Sequence, residues 1–313
     1  MPRTIMSAMT LVHFILTFVA ISLISRGAEA WGPGMHLDLA IDLIGSVGII
    51  SPVIRELVKR YPQAFLYGST SPDIIVGKKY AGYLHHCHNW RIGWLILHEA
   101  ESDIQRSAAY GYLMHLAADV VAHNYYIPAK IIRSYNTKLL THTYWEMRFD
   151  LGVPEKVWDE LTKITEMEIK EFDDLLERVI RKTLFSFSTN KKIFSTILML
   201  QKMHGLRASL AAYAKRSRFD LVEENRNHYR DLAVESAHDF FARPESAACL
   251  EVDPAGIAKL TYAKNLRRRI AEMTAKGIMS REQADRLVDL AKEALAVGIY
   301  RPDMALPDVM DVL

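Results

Sequence analysis

The stretch 111-GYLMHLAADVVAHNY-125 sets three side chains of metal-binding type, His115, Asp119 and His123, four residues apart in an otherwise apolar run. At 3.6 residues per turn, positions i, i+4 and i+8 drift by only about 40° per step, so all three leave one face of a helix. Leu113, Leu116, Val120 and Val121 cover much of the remaining surface, the pattern of a helix surrounded by other helices. A carboxylate between two imidazoles on a buried face is costly unless a cation compensates it, and a divalent metal is the simplest compensator. Imidazole with carboxylate suits zinc. The competing reading of this stretch by itself is a pair of core histidines hydrogen-bonded to a buried aspartate.

A second stretch, 141-THTYWEMRFD-150, places His142 and Glu146 four apart, again on one helical face. Two such His/carboxylate pairs on neighbouring helices can enclose a metal in a bundle core. Further donors surround them in sequence. Trp31 opens the segment WGPGMHLDLAIDLIG, which sets His36 at the head of an amphipathic helix. Ser51-Pro52 starts a helix that Pro62 ends. The stretch FLYGSTSPDII reads as a turn-rich loop carrying Asp73, and YLHHCHNW brings His85, His86 and His88 around Cys87.

Beyond Pro154 helical patterns follow one another: residues 155–184, 191–215, 221–241, 257–276 and, after a Ser280/Gln283 capping box, 281–297. Residues 91–107 also read as helix, with His98 as a structural histidine. His204, His228 and His238 lack carboxylates at metal-site spacing. The basic runs KRSRFD and NLRRRIAE read as solvated faces. With little strand signal, the chain is expected to be all-α, a multi-helix bundle with its metal site in a cleft. Pro244 to Pro254 is the expected break before its last helices.

Residues 1–30 have the form of an export signal: Arg3, an apolar run over Leu11–Ile24, and Ala28-Glu29-Ala30 as the cleavage site. That run is short for a membrane span of about 20 residues. The expected product is therefore secreted or periplasmic, without a transmembrane segment. The organisation expected is signal peptide 1–30, metal-binding domain 31–220 and a C-terminal helical segment 221–313. Residues 1–30 contain Arg3, Arg26 and Glu29, and the whole chain has 39 basic and 37 acidic residues. The remainder is thus near neutral, with no electrostatic case for a stable nucleic-acid partner or an anionic membrane. Cys87 and Cys249 permit one disulfide or none, and a thiolate ligand at Cys87 is a third option.

Together these residues resemble the zinc-dependent phospholipase C superfamily, which takes in bacterial phospholipases C, the single-strand-specific zinc nucleases and the glycosylphosphatidylinositol-specific phospholipase D. The resemblance runs from Trp31 to about Asp150 and implies three zinc ions in a helical bundle. It implies a first zinc on Asp73, His88, His115 and Asp119, and a second on His123, His142 and Glu146. The third would use the amine and carbonyl of Trp31 with His36 and a bridging Asp119. Asp73 and Asp119 would carry the catalysis. The short Asp119–His123 spacing, the segment GSTSPD and the sequence His88-Asn89-Trp90 are similar to the phospholipase D branch, and favour His88 over His86.

The activity implied is hydrolysis of a phospholipid at a membrane surface, of phospholipase C type. The alternatives are phospholipase D-type cleavage, a nuclease on the same metals, and a non-catalytic zinc-binding envelope protein. A nuclease needs aromatic platforms for bases, and Tyr80, Tyr83, Trp90 and Trp94 are the candidates.

Overall fold

Proline sets the first position of three successive helices, where its missing N–H costs nothing and its fixed φ suits the turn. These are α1 (Pro33–Gly45), α2 (Pro52–Arg60) and α3 (Pro62–Thr70). The computed structural model describes residues 31–75, 87–137, 140, 142–180, 185–202, 204–217, 219, 221 and 223–313. The segment expected as an export signal, His85, His86, Tyr80 and Tyr83 lie outside them. Helix α3 runs into a 3-10 turn, Ser71–Ile74, which carries Asp73. The stretch expected as a turn-rich loop is therefore helical almost throughout, because Pro62 ends one helix and also opens the next.

Residues 91–107 are not one helix. Helix α4 (Trp90–His98) is capped by Asn89. After a break, α5 (Asp103–Val121) starts at a capping box in which Ser102 accepts from the Gln105 N–H and Gln105 reaches back to Ser102. Serine competes for backbone hydrogen bonds within a helix but caps one well, and Gln105 at the third helical position completes the box, which decides the break. Helix α5 is buried nearly all round from Ser107 onward. It widens into a π turn, Ala122–Tyr126, and resumes as α6 (Ile127–Arg133). Pro128 has no N–H to donate to the carbonyl one turn back, which accounts for the change of hydrogen-bond register.

Helix α7 (His142–Asp150) follows, then α8 (Glu155–Glu166) and α9 (Lys170–Val179), two helices where the sequence suggests one. The patterns at 191–215 likewise resolve into α10 (Phe187–Lys202) and α11 (His204–Arg216). Next come α12 (Glu223–Ala242), α13 (Ile257–Ala275) and α14 (Arg281–Val297). The capping box of α14 forms as expected, with Ser280 and Gln283 exchanging bonds. No strand occurs among the described residues, and the fold is all-α. No helix among them is long and apolar enough to cross a membrane.

Helix α5 is the axis of the bundle, with α3, α4 and α12 packed along it and α13 and α14 against α6. Two glycines let α3 and α5 approach backbone to backbone. A Cβ on Gly68 would meet the Ala108 carbonyl oxygen at 1.8 Å, and one on Gly111 would meet the Phe65 oxygen at 2.0 Å. That close crossing brings the end of α3 over His115. Helix α12 joins from the C-terminal segment: Ser236 donates to the Ala117 carbonyl, and Arg230 pairs with Asp38 and Asp42 of α1. The run NLRRRIAE is not simply a solvated face. Arg267 donates to the carbonyls of Thr137 and Leu140, and Arg269 pairs with Asp308.

Candidate metal centre

Six parts of the chain converge on the buried face of α5. Helix α1 supplies His36, the 3-10 turn Asp73, the residues before α4 His88, α5 itself His115 and Asp119, the π turn His123, and α7 His142 and Glu146. His36, His88, His115, Asp119 and His123 are fully buried, and Asp73 and Glu146 nearly so.

The tightest group is Asp73, His88, His115 and Asp119. His88 Nε2 lies 3.0 Å from His115 Nε2, 3.3 Å from Asp73 Oδ1 and 3.3 Å from Asp119 Oδ2. His115 Nε2 lies 3.3 Å from Asp119 Oδ2 and 3.8 Å from Asp73 Oδ1. Ligands about 2.0–2.1 Å from a tetrahedral zinc stand about 3.3–3.4 Å from one another, so these spacings suit that ion. The tautomers agree. His115 Nδ1 donates to the Ser69 carbonyl at 2.9 Å, which leaves the Nε2 lone pair facing His88 and the two carboxylates.

His36 completes the cluster from the other side. Its Nε2 lies 3.2 Å from Asp119 Oδ1, and its ring stacks on that of His115 with centroids 3.5 Å apart. The contact with Asp119 is short but misaligned. Both ring nitrogens of His36 and both oxygens of Asp119 are buried with no well-formed hydrogen bond among the described residues. Burial pushes the His36 imidazole below its ordinary value, and the neighbouring His115 adds to this against the pull of Asp119. Burial also works against charge on His115, but Asp119 and Asp73 outweigh it and hold that imidazole up. Asp119 is held well below the usual carboxylate range: burial opposes its charge, and His115 and His36 overcome that opposition. Buried acids, imidazoles and orphaned polar atoms in one volume fit a divalent cation better than they fit one another.

The second set lies beside the first. His142 Nε2 is 3.0 Å from Glu146 Oε1, and the His142 ring meets the His123 ring edge-on at 5.4 Å. His123 Nδ1 stands 3.9 Å from Asp119 and 2.6 Å from the Pro254 carbonyl, to which it donates. Trp31 is buried, its indole N–H bonded to the Ala118 carbonyl and its ring stacked on Tyr126.

Other expectations change. His98 is an exposed surface residue beside Glu99, with 81% of its side chain accessible, and is no structural histidine of the core. Cys87 and Cys249 are both buried, with no disulfide between them. Cys87 Sγ lies 3.4 Å from His88 Nδ1, the nitrogen opposite the one that faces the carboxylates. Trp90 stacks on Phe240 and donates its indole N–H to Val252, and Trp94 packs on the same Phe240, so both are engaged in the core. The residues missed by sequence reasoning are those that orient the imidazoles, Ser69 and Pro254. Both act through main-chain carbonyls, which leave no side-chain signature.

A family model described as zinc dependent phospholipase C matches residues 35–192. No curated protein and no solved structure matches the chain.

Proposed function

Because the chain belongs to the zinc-dependent phospholipase C family, we propose that it is an exported phosphodiesterase that hydrolyses phospholipids by C-type cleavage, releasing a phosphorylated head group. The observation that carries this reading is the cage around His88 Nε2, with His115 and two carboxylates at 3.0–3.3 Å. We assign one zinc to Asp73, His88, His115 and Asp119, a second to His123, His142 and Glu146, and a third to the main chain of Trp31 with His36 and Asp119.

Zinc, when bound, supplies Lewis-acid polarisation of the phosphoryl group and makes water acidic enough to attack near neutral pH. The chain's own groups do the rest. Asp119, presenting one oxygen to His36 and the other to His88 and His115, holds two subsites at a fixed separation. The Asp73 carboxylate accepts the proton of the attacking water. The Ser69 and Pro254 carbonyls fix the tautomers of His115 and His123, so that their Nε2 lone pairs are available. The packing of Trp90 and Trp94 against Phe240 supports a structural role for both over that of stacking platforms for bases.

The test is to supply the zinc-loaded chain from residue 31 with phosphatidylcholine vesicles, a chromogenic phosphodiester and single-stranded DNA, with and without chelator. Release of phosphocholine and diacylglycerol, abolished by chelator, is expected. Release of free choline would mean D-type cleavage, and turnover of DNA in place of lipid would mean a nuclease.

A further inference from the structure

Three consecutive carbonyls of one loop, at Val252, Asp253 and Pro254, accept hydrogen bonds from residues around the metal-binding cluster. Trp90 Nε1 donates to Val252 at 2.9 Å, Asn124 Nδ2 to Asp253 at 3.0 Å, and His123 Nδ1 to Pro254 at 2.6 Å. Trp90 stands two residues after His88, and Asn124 directly after His123. The loop therefore ties together the two sides of the cluster. It lies some sixty positions beyond the end of the family match at residue 192.

The loop is braced by its own hydrogen bonds. Asp253 accepts from the Ala255 and Ile257 N–H groups through its carboxylate, and from the Gly256 N–H through its carbonyl. Gly256 has φ +56° and is the residue just before α13. A Cβ there would meet both Cβ and the carbonyl oxygen of His123 at 2.5 Å. Only a residue without a side chain lets the loop approach His123 closely enough for the Pro254 carbonyl to reach its ring.

We propose that the Val252–Gly256 loop is a positioning element of the metal centre, which fixes the tautomer and orientation of His123 from outside the family core. The proposal rests on the reading of His123 as a zinc ligand. The residue following the π turn's histidine serves the same end: Asn124 also donates to the Val120 carbonyl at 3.0 Å, so that it clamps the widened turn to the loop. Partners of this kind change metal affinity by about 10-fold to 100-fold when removed, because a ligand left free to rotate must be ordered at binding.

The test uses the full processed chain. Gly256→Ala is compared with Gly277→Ala, whose φ is +69° but whose added Cβ would meet nothing within 4 Å. The two substitutions carry similar backbone strain, and only the first presses on His123. Zinc retained against a graded chelator, and the visible absorption of the cobalt-substituted protein, are the readouts. Gly256→Ala is expected to weaken one zinc by about 10-fold or more and to alter the cobalt spectrum, with Gly277→Ala near wild type in both. In a His123→Ala background the effect of Gly256→Ala should vanish. Asn124→Ala, which adds no atom, carries the same comparison if Gly256→Ala does not fold. If His123→Ala loses zinc while Gly256→Ala and Asn124→Ala match Gly277→Ala, the positioning role is overturned and the ligand assignment stands. If His123→Ala keeps its full zinc, the ligand assignment itself fails.

Discussion

The imidazoles of His36 and His115 lie stacked, 3.5 Å between centroids and 11° from parallel, although 79 residues separate them in the chain. Two protonated rings would repel at that distance. Burial and the neighbouring His115 push His36 down against the pull of Asp119, whereas Asp119 and Asp73 overcome burial and hold His115 up. Asp119 touches both, and it is the residue on which the cluster's charge balance turns.

Replacing Asp119 with asparagine keeps the shape and removes the anion. The expected result is loss of at least one zinc by elemental analysis and a fall in phosphodiesterase activity of about 100-fold or more. The helical circular dichroism should remain, because the apolar packing of α5 is untouched. Full zinc content with normal turnover would show that Asp119 bridges nothing.

His142 and Glu146 form the second test. Each, changed to alanine, should lower metal content well below that of His98→Ala, since His98 is exposed and only pairs with Glu99 on the surface. Metal binding is coupled to folding, so the two ligand variants should also melt earlier in zinc. Equal zinc in the His98 and His142 variants would remove the second site.

Much of this arrangement was legible because it repeats at helical spacing. His115, Asp119 and His123 announce one face of a buried helix, and His142 with Glu146 announce a second. Element boundaries were less legible. The Glu99–Ser102 break looked helical until Ser102 and Gln105 closed a capping box, and FLYGSTSPDII looked like loop because glycine, serine and proline dominate it. There Gly68 serves a close crossing with α5 and makes no turn. The supports of the imidazoles were not legible at all. Ser69 and Pro254 act through carbonyl oxygens, which every residue possesses, and only the three-dimensional path of the chain selects them.

Asp150 links stability to pH. Its carboxylate accepts the N–H groups of Gly34 and Met35 and so caps α1, the helix that carries His36. Burial pushes this carboxyl up to about 7, against those two donors and the nearby Arg226. The folded chain thus keeps a proton that the unfolded chain releases near pH 4. Asp150's contribution to stability is thus fully present below about pH 4, is lost as pH rises toward 7, and changes no further above. Asp150→Asn should flatten that decline in the metal-free protein, measured as thermal midpoint against pH. Asp150→Ala should cost about 1–2 kcal/mol by removing the cap. Identical slopes in the wild-type and asparagine proteins would mean that Asp150 is ionised throughout.

The last prediction concerns Trp31. Its indole N–H bonds the Ala118 carbonyl, one residue before Asp119, and its ring is held between Tyr126 at 4.8 Å and Phe149 at 4.2 Å. The ring is therefore fixed beside the cluster, and the main chain of Trp31 leads directly into the helix that carries His36. An α-amine titrates near pH 8, so it gives up its proton readily to a nearby cation and can serve as a ligand. Cleavage after Ala30 would create that amine, and processing would then be part of building the proposed third subsite. A protein produced with a retained methionine before Trp31 should hold two zincs firmly and the third poorly, with a matching fall in turnover. The processed protein should hold three. Trp31→Phe separates the anchor from the amine: it keeps the new terminus but loses the bond to Ala118, and should weaken the third zinc less than the extra methionine does. If metal content and turnover are equal in the processed and methionine-bearing forms, Trp31 is a buried anchor of α5 and the third subsite is wrong.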